Sequence, residues 1–194
     1  MKHFNVRSKL IESTIRVVAR DGLDKTTTKA IAKESDLHEA YIYQYFQNKE
    51  ELLAQTFNML DAELETTAMQ HVSVMYMQNL NYEARCRFFF TAVWRFIIGN
   101  REKCLAFVRY YYSPYFKKYS EDDHKKRYLP LVEKFKDAFK EEANVWMILN
   151  HILNVMLDFA IKVFNGAVKD NDDTAEHVFR LIFFSVKQYF KTEI

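Results

Sequence analysis

The chain has 194 residues, 49% of them hydrophobic, and a formal net charge of +2. That length suits one domain or two unequal ones with room for a sizeable core. Three Gly and two Pro are too few turn residues for a β-sandwich, a barrel or a doubly wound sheet. The periodic segments run too long for strands, so the expected fold class is all-α. The near-neutral charge means that any nucleic-acid binding must rest on local arrangement rather than bulk electrostatics.

The opening MKHFNVRSKL holds no long apolar stretch and does not read as a secretory signal. The most apolar stretches, Phe88–Ile98 and Val145–Val168, are interrupted by Arg95 and by Asn150, His151, Asn154 and Asp158. Neither offers the ~20 clean apolar residues of a spanning helix. Cys86 and Cys104 fall on different predicted helices without CxxC spacing, as small buried hydrophobes in a reducing compartment would. A cytoplasmic protein is expected.

Helix 1 is predicted over Val6–Asp21, where Leu10, Ile11, Thr14, Val17 and Val18 form one stripe. Gly22 supplies its left-handed stop. The Thr26–Thr28 cluster caps a short helix 2, Thr28–Ser35, with Ile31 and Ala32 inward. A tight turn, Ser35-Asp36-Leu37, leads into helix 3 at His38–Tyr45. Asn48 and Glu51 form a capping box that opens helix 4, which runs to His71. Helices 5 and 6 are placed at Tyr82–Ile98 and Arg101–Tyr112. The polar run Lys117–Arg127 reads as loop or exposed helix start, and helix 7 as Tyr128–Glu142. Helix 8 spans Asn144–Asn165, and helix 9 spans Thr174–Thr192. The domains expected are 1–48 and 49–194, joined directly by helix 4.

Residues 26–52 carry the motif. Two short helices separated by a turn of a few residues make a helix-turn-helix, whose second helix enters the major groove. Leu23, Ile31, Leu37, Ile42 and Phe46 supply a small shared core with helix 1, leaving His38, Glu39, Tyr41, Gln44 and Tyr45 outward. Thr27-Thr28, Ile31-Ala32, Ile42-Tyr43-Gln44-Tyr45-Phe46 and Lys49-Glu50-Glu51-Leu52 together resemble the TetR family of helix-turn-helix transcriptional regulators. The match reaches back to Gly22, Val17-Val18 and Ile11. It departs at Asp36, where glycine is usual, and at His38-Glu39-Ala40-Tyr41, where small residues are usual.

Gln44 suits a bidentate pair of hydrogen bonds to adenine. Glu39 suits either cytosine N4 or the dipole of the helix N-terminus. Tyr41 by position resembles a phosphate or thymine-methyl contact. Tyr43, Tyr45, Thr28 and Lys49 resemble phosphate contacts, while Lys25, Lys29 and Lys33 suit flanking phosphates or an ordinary exposed face. The DNA-binding set is completed by His38 and Ala40 at the start of helix 3.

The resemblance implies that the 49–194 domain binds a ligand and dimerises through its last two helices as a four-helix bundle. Both helices are apolar around more than one stripe, as helices paired with another chain are. Asn150, Asn154 and Asp158 share one face, suited to a dimer-interface network or to a cavity wall. Trp94, Phe107, Tyr111, Trp146 and Phe159, with Asn150 and His151, are the candidate ligand-binding residues, for a hydrophobic or aromatic effector. Helix 6, with Arg109–Tyr112, falls where the family transmits ligand binding to the DNA-binding domain.

The function expected is a regulator, a repressor released from a palindromic operator by the effector. A DNA-binding dimer whose larger domain takes a protein partner instead is the alternative. No nucleophile motif, phosphate-binding glycine loop or paired-carboxylate spacing marks an enzyme. The six His form no metal-ligand spacing, so no cofactor or metal is expected.

Overall fold

The computed structural model describes residues 2–191 and is all-α. Among these residues the helices are α1 (Lys2–Asp21), α2 (Thr28–Ser35), α3 (Ala40–Tyr45), α4 (Lys49–His71), α5 (Tyr82–Gly99), α6 (Arg101–Tyr111), α7 (Pro114–Tyr119), α8 (Glu121–Lys136), α9 (Val145–Phe164) and α10 (Asp172–Val186). Short 3₁₀ turns follow α4 at Val72–Tyr76 and α10 at Lys187–Tyr189. The last helix stops at Val186, short of its predicted end at Thr192, a residue that lies outside the described ones.

Two compact units emerge, one of Met1–Glu63 with Asn100–Lys126, the other of Leu64–Gly99 with Arg127–Ile194. The division falls inside α4 and α8. Segment 1–48 lies wholly in the first unit, but that unit is larger than 1–48 because α6 packs along α1. The α1 stripe is realised, with Leu10, Ile11, Thr14, Val17 and Val18 all buried. The α6 residue Arg109 donates from Nη1 to the Val18 carbonyl at 2.5 Å. That carbonyl lies in the last turn of α1, where a cation complements the helix dipole. Gly22 closes the helix at φ +85°, a conformation that costs a side-chain-bearing residue.

The stretch 117–142 departs from expectation. The polar run is not loop. Pro114 starts α7, its ring occupying a first-turn position where no N–H is needed. The next helix begins at Glu121, with Glu121, Asp122 and Asp123 complementing its N-terminal dipole, and ends at Lys136 rather than Glu142. Its buried positions are His124, Tyr128, Leu131, Val132 and Phe135, a helical stripe whose first member is a histidine. His124 is 3% exposed and its Nδ1 lies 2.9 Å from Oδ1 of the fully buried Asp61 on α4. After α8 the backbone pairs briefly, Lys140 N–H donating to the Tyr189 carbonyl at 2.9 Å and Lys191 N–H to that of Ala138 at 3.1 Å.

In the second unit α5 packs against α9 and α10. Phe90 stacks on Trp94 with ring centres 5.9 Å apart and meets Phe179 at 5.5 Å. Arg87 lies over the Phe179 ring at 4.2 Å and is held by Glu83 at 2.7 Å and by Glu176. With 20 residues and a mean hydropathy of 1.5, α9 is long and apolar enough to cross a membrane by length and composition alone. Its contacts with α5 and α10 already give it a place in a helical core.

Candidate nucleic-acid interface

The helix-turn-helix is held by local chemistry. Thr27 caps α2, its Oγ1 accepting from Ala30 N–H at 3.1 Å. Asp36 ends α2 at φ 51°, ψ 46°, a left-handed position that aspartate tolerates better than most residues. Leu37 N–H then returns to the Ala32 carbonyl at 3.0 Å, closing the turn. Tyr41 and Ile42 N–H donate to the carbonyls of His38 and Glu39 at 3.0 Å each. These i→i+3 bonds tighten the lead-in, so the α-helix itself starts at Ala40 rather than His38.

Ile31, Ile42 and Phe46 are buried as expected, whereas Leu23 and Leu37 are only partly covered. An ionic cluster fixes α1 against α2. Glu34 accepts from Arg16 and Arg20 at 2.8 Å each. Hydrogen bonds from Arg20, then Arg16, hold its carboxyl below the usual carboxylate range. Such a lowered value adds stability above the ordinary carboxylate range and loses it as pH falls through the folded value.

With that core satisfied, one face remains outward. His38, Glu39, Ala40, Tyr41, Tyr43 and Gln44 are exposed, Tyr43 by 57%, while Tyr45, Thr28 and Lys49 are half-buried. Lys25, Lys29 and Lys33 are exposed on the flank. The Thr28 hydroxyl donates to the Glu39 carboxylate, so Glu39 ties the start of α2 to that of α3. The start of α4 is fixed reciprocally. Glu51 N–H donates to Asn48 Oδ1 at 2.8 Å, and Gln47 N–H to the Glu51 carboxylate at 2.6 Å. Lys49 therefore sits at a rigid helix N-terminus, and the face combines amide, hydroxyl and cationic groups suited to base edges and phosphates.

The candidate ligand residues are divided between the two units. Phe107 and Tyr111 belong to the first unit, their rings stacked at 5.5 Å. Trp94, Trp146, Asn150, His151 and Phe159 belong to the second. Trp94 is buried in the core, and Asn150 donates to the Trp146 carbonyl at 3.2 Å. His151 is exposed, its Nε2 lying 2.9 Å from Ser185 Oγ on α10, and Phe159 lies under the Lys162 ammonium at 4.7 Å. A groove of about 860 Å³ opens instead along α5, with His71, Val74, Arg87, Phe88, Thr91 and Arg95 in its walls. None of the seven sequence candidates lines it. Its signal in the sequence is Phe88-Phe89-Phe90, three consecutive rings of which one must face outward, together with Arg95 in an apolar helix. Cys104 is buried and Cys86 partly so; burial pushes both thiols up to about 12, so both stay protonated and unreactive. No group of three or more metal-ligating side chains occurs among the described residues.

Residues 10–56 match the model of the bacterial regulatory proteins, tetR family. An uncharacterized HTH-type transcriptional regulator of Haemophilus influenzae is 37% identical over 65 residues, which is 31% of this chain and 35% of that protein. The curated match thus spans about a third of its relative. A TetR family transcription regulator from Marinobacter aquaeolei aligns over 95% of this chain and 98% of its own, with TM-score 0.78 and 18% identity. The transcriptional regulator FadR from Bacillus subtilis, in complex with stearoyl-CoA, aligns over 90% and 96%, with TM-score 0.69 and 17% identity. At those identities the two structures share the fold. The family match falls on the segment whose outward face has just been described, and the shared fold extends over nearly the whole chain: residues 10–56 carry a helix-turn-helix similar to that of the tetR family, on a chain with the fold of those regulators.

Proposed function

We propose that the chain is a cytoplasmic, homodimeric repressor that reads a palindromic operator and is released by a small ligand. The observation that carries the DNA-binding part is the outward face of α3. Tyr41, Tyr43 and Gln44 stand exposed on a helix whose other side, at Ile42, is fully buried. Gln44 reads a base, Lys49 neutralises a phosphate, and Tyr43, Tyr45 and Thr28 position the backbone.

Dimerisation through α9 and α10 accounts for their exposed apolar side chains, Met147 (66% exposed), Leu181 and Phe184. A two-fold dimer presents two recognition helices to successive major grooves. For the ligand, the α5 groove offers an apolar wall at Phe88 and cations at Arg87 and Arg95, a setting for a molecule with an apolar body. The stearoyl-CoA in the FadR complex is one of that kind. Release follows if the ligand prefers a state in which α4 is tilted and the spacing of the two α3 helices no longer fits DNA.

Selection of bound sequences from a random duplex pool tests this reading. The wild-type chain is expected to enrich a palindrome. Gln44→Ala should relax one position of each half-site, at a cost of about 1–3 kcal/mol. Lys49→Ala should weaken all sequences alike and lower the salt slope by about 1. Failure to enrich any sequence would remove the operator-reading role.

A further inference from the structure

The compact unit that holds the helix-turn-helix also contains residues 100–126, and within it α7 lies on α4. Phe116 of α7 meets Phe57 of α4 edge-on, ring centres 5.4 Å apart. It also packs on Tyr111 at 4.6 Å and on His124 at 5.4 Å. This ring is the anchor of a six-residue helix that has little internal stability of its own.

Glu50 precedes Phe57 by seven residues on α4, close to two helical turns. The two side chains therefore share a face, with Glu50 about 10 Å nearer the N-terminus of α4. Lys118 follows Phe116 by two residues, and its ammonium sits 4.8 Å from the centre of the Tyr119 ring. The Tyr119 oxygen first, and the Glu50 carboxylate after it, raise the Lys118 ammonium above its ordinary value. Lys118 is thus within electrostatic reach of Glu50, the neighbour of Lys49 at the start of α4, whereas Lys117 has Glu121 near it. Lys117 and Lys118 are both exposed, and Tyr115 and Tyr119 stack beside them at 6.3 Å. The acidic first turn of α8, Glu121-Asp122-Asp123, bounds the basic patch and repels phosphate beyond it.

We propose that Lys117 and Lys118 make a second DNA contact, gripping the phosphate backbone outside the groove segment read by α3. The contact carries no base information and rests on the DNA-binding reading above. Its chemistry is counterion release by two lysines on a tyrosine shelf. Lys118 also lies within electrostatic reach of Glu50, whose negative charge disfavours phosphate nearby. The reach of the interface thus extends beyond residues 10–56, the segment the family model covers.

The test is fluorescence anisotropy of the full-length chain on a labelled duplex carrying the enriched palindrome with extended flanks, titrated at several salt concentrations. Lys117→Ala/Lys118→Ala is expected to flatten the slope of log K against log salt by about 0.9 for each phosphate no longer neutralised. The preferred sequence should stay the same, and Lys125→Ala on the neighbouring α8 should leave the slope unchanged. An unaltered slope in the double variant, with the slope lowered by Lys49→Ala, overturns the α7 contact while leaving the regulator intact. Lys118→Ala made in a Glu50→Gln background separates direct binding from screening. A lowered slope there supports a direct phosphate contact, and no change there means that Lys118 only screens Glu50 and overturns it. Absence of salt-sensitive binding by the wild-type chain would instead sink the DNA-binding reading itself.

Discussion

His124→Ala is expected to destabilise the first unit by about 2–4 kcal/mol, read as a lower midpoint in urea denaturation followed by circular dichroism. Asp61 is fully buried and His124 is 3% exposed, with 2.9 Å between Oδ1 and Nδ1. Deleting the imidazole removes that hydrogen bond from a carboxyl that water does not reach. It also removes a ring that packs on Tyr111 and Phe116 at 5.5 and 5.4 Å. Much of the cost arises from leaving the buried Asp61 carboxyl one hydrogen bond short, so removing both groups should cost less. Asp61→Leu/His124→Leu is expected to recover most of the stability. A double variant as unstable as His124→Ala would show that the deficit came from packing volume rather than from the lost hydrogen bond to the buried carboxyl. The pair joins α4 to α8, and α4 starts at Lys49, so any loosening is also expected to weaken DNA binding.

The same residue shows where the sequence stopped being legible. α2 and α4 were readable to the residue because their ends are written locally: Thr27 caps one, and Asn48 with Glu51 opens the other. The start of α8 was not. His124 occupies the first core position of its stripe, and a histidine scored as polar hides the helical period of Tyr128, Leu131, Val132 and Phe135 behind it. Likewise the outward face of α3 is set by its neighbours, since burying Ile42 and Phe46 leaves Tyr41, Tyr43 and Gln44 no inward place. The groove along α5 had no such local cause. Its walls combine His71 and Val74 with Arg87, Phe88, Thr91 and Arg95, brought together by the packing of α5 against the segment after α4. Aromatic content nominated Trp94 and Phe107 for a pocket, and both are buried. Their size makes packing the stronger demand.

Ile42→Ala is expected to lower stability by about 2–5 kcal/mol, and to lower DNA affinity more than stability alone accounts for. The side chain is fully buried, and α3 is six residues long, too short to persist as a helix without tertiary packing. Its only side chain buried outright is Ile42. The face that carries Tyr41, Tyr43 and Gln44 is therefore ordered by one inward residue. With a cavity in its place, the turn 36–46 opens in a fraction of molecules that still hold α1, α2 and α4 folded. The apparent dissociation constant then rises in inverse proportion to the competent fraction. Hydrogen exchange on Ile42→Ala should show reduced protection at Phe46 N–H, which donates to the Ile42 carbonyl at 2.8 Å, with protection retained inside α1. Ile42→Val, smaller by one methylene, should cost only about 0.5–1.5 kcal/mol and keep most of the binding. An equal fall in protection across α1 and α3 would mean that the helix-turn-helix unfolds as one unit, and the affinity should then follow global stability alone.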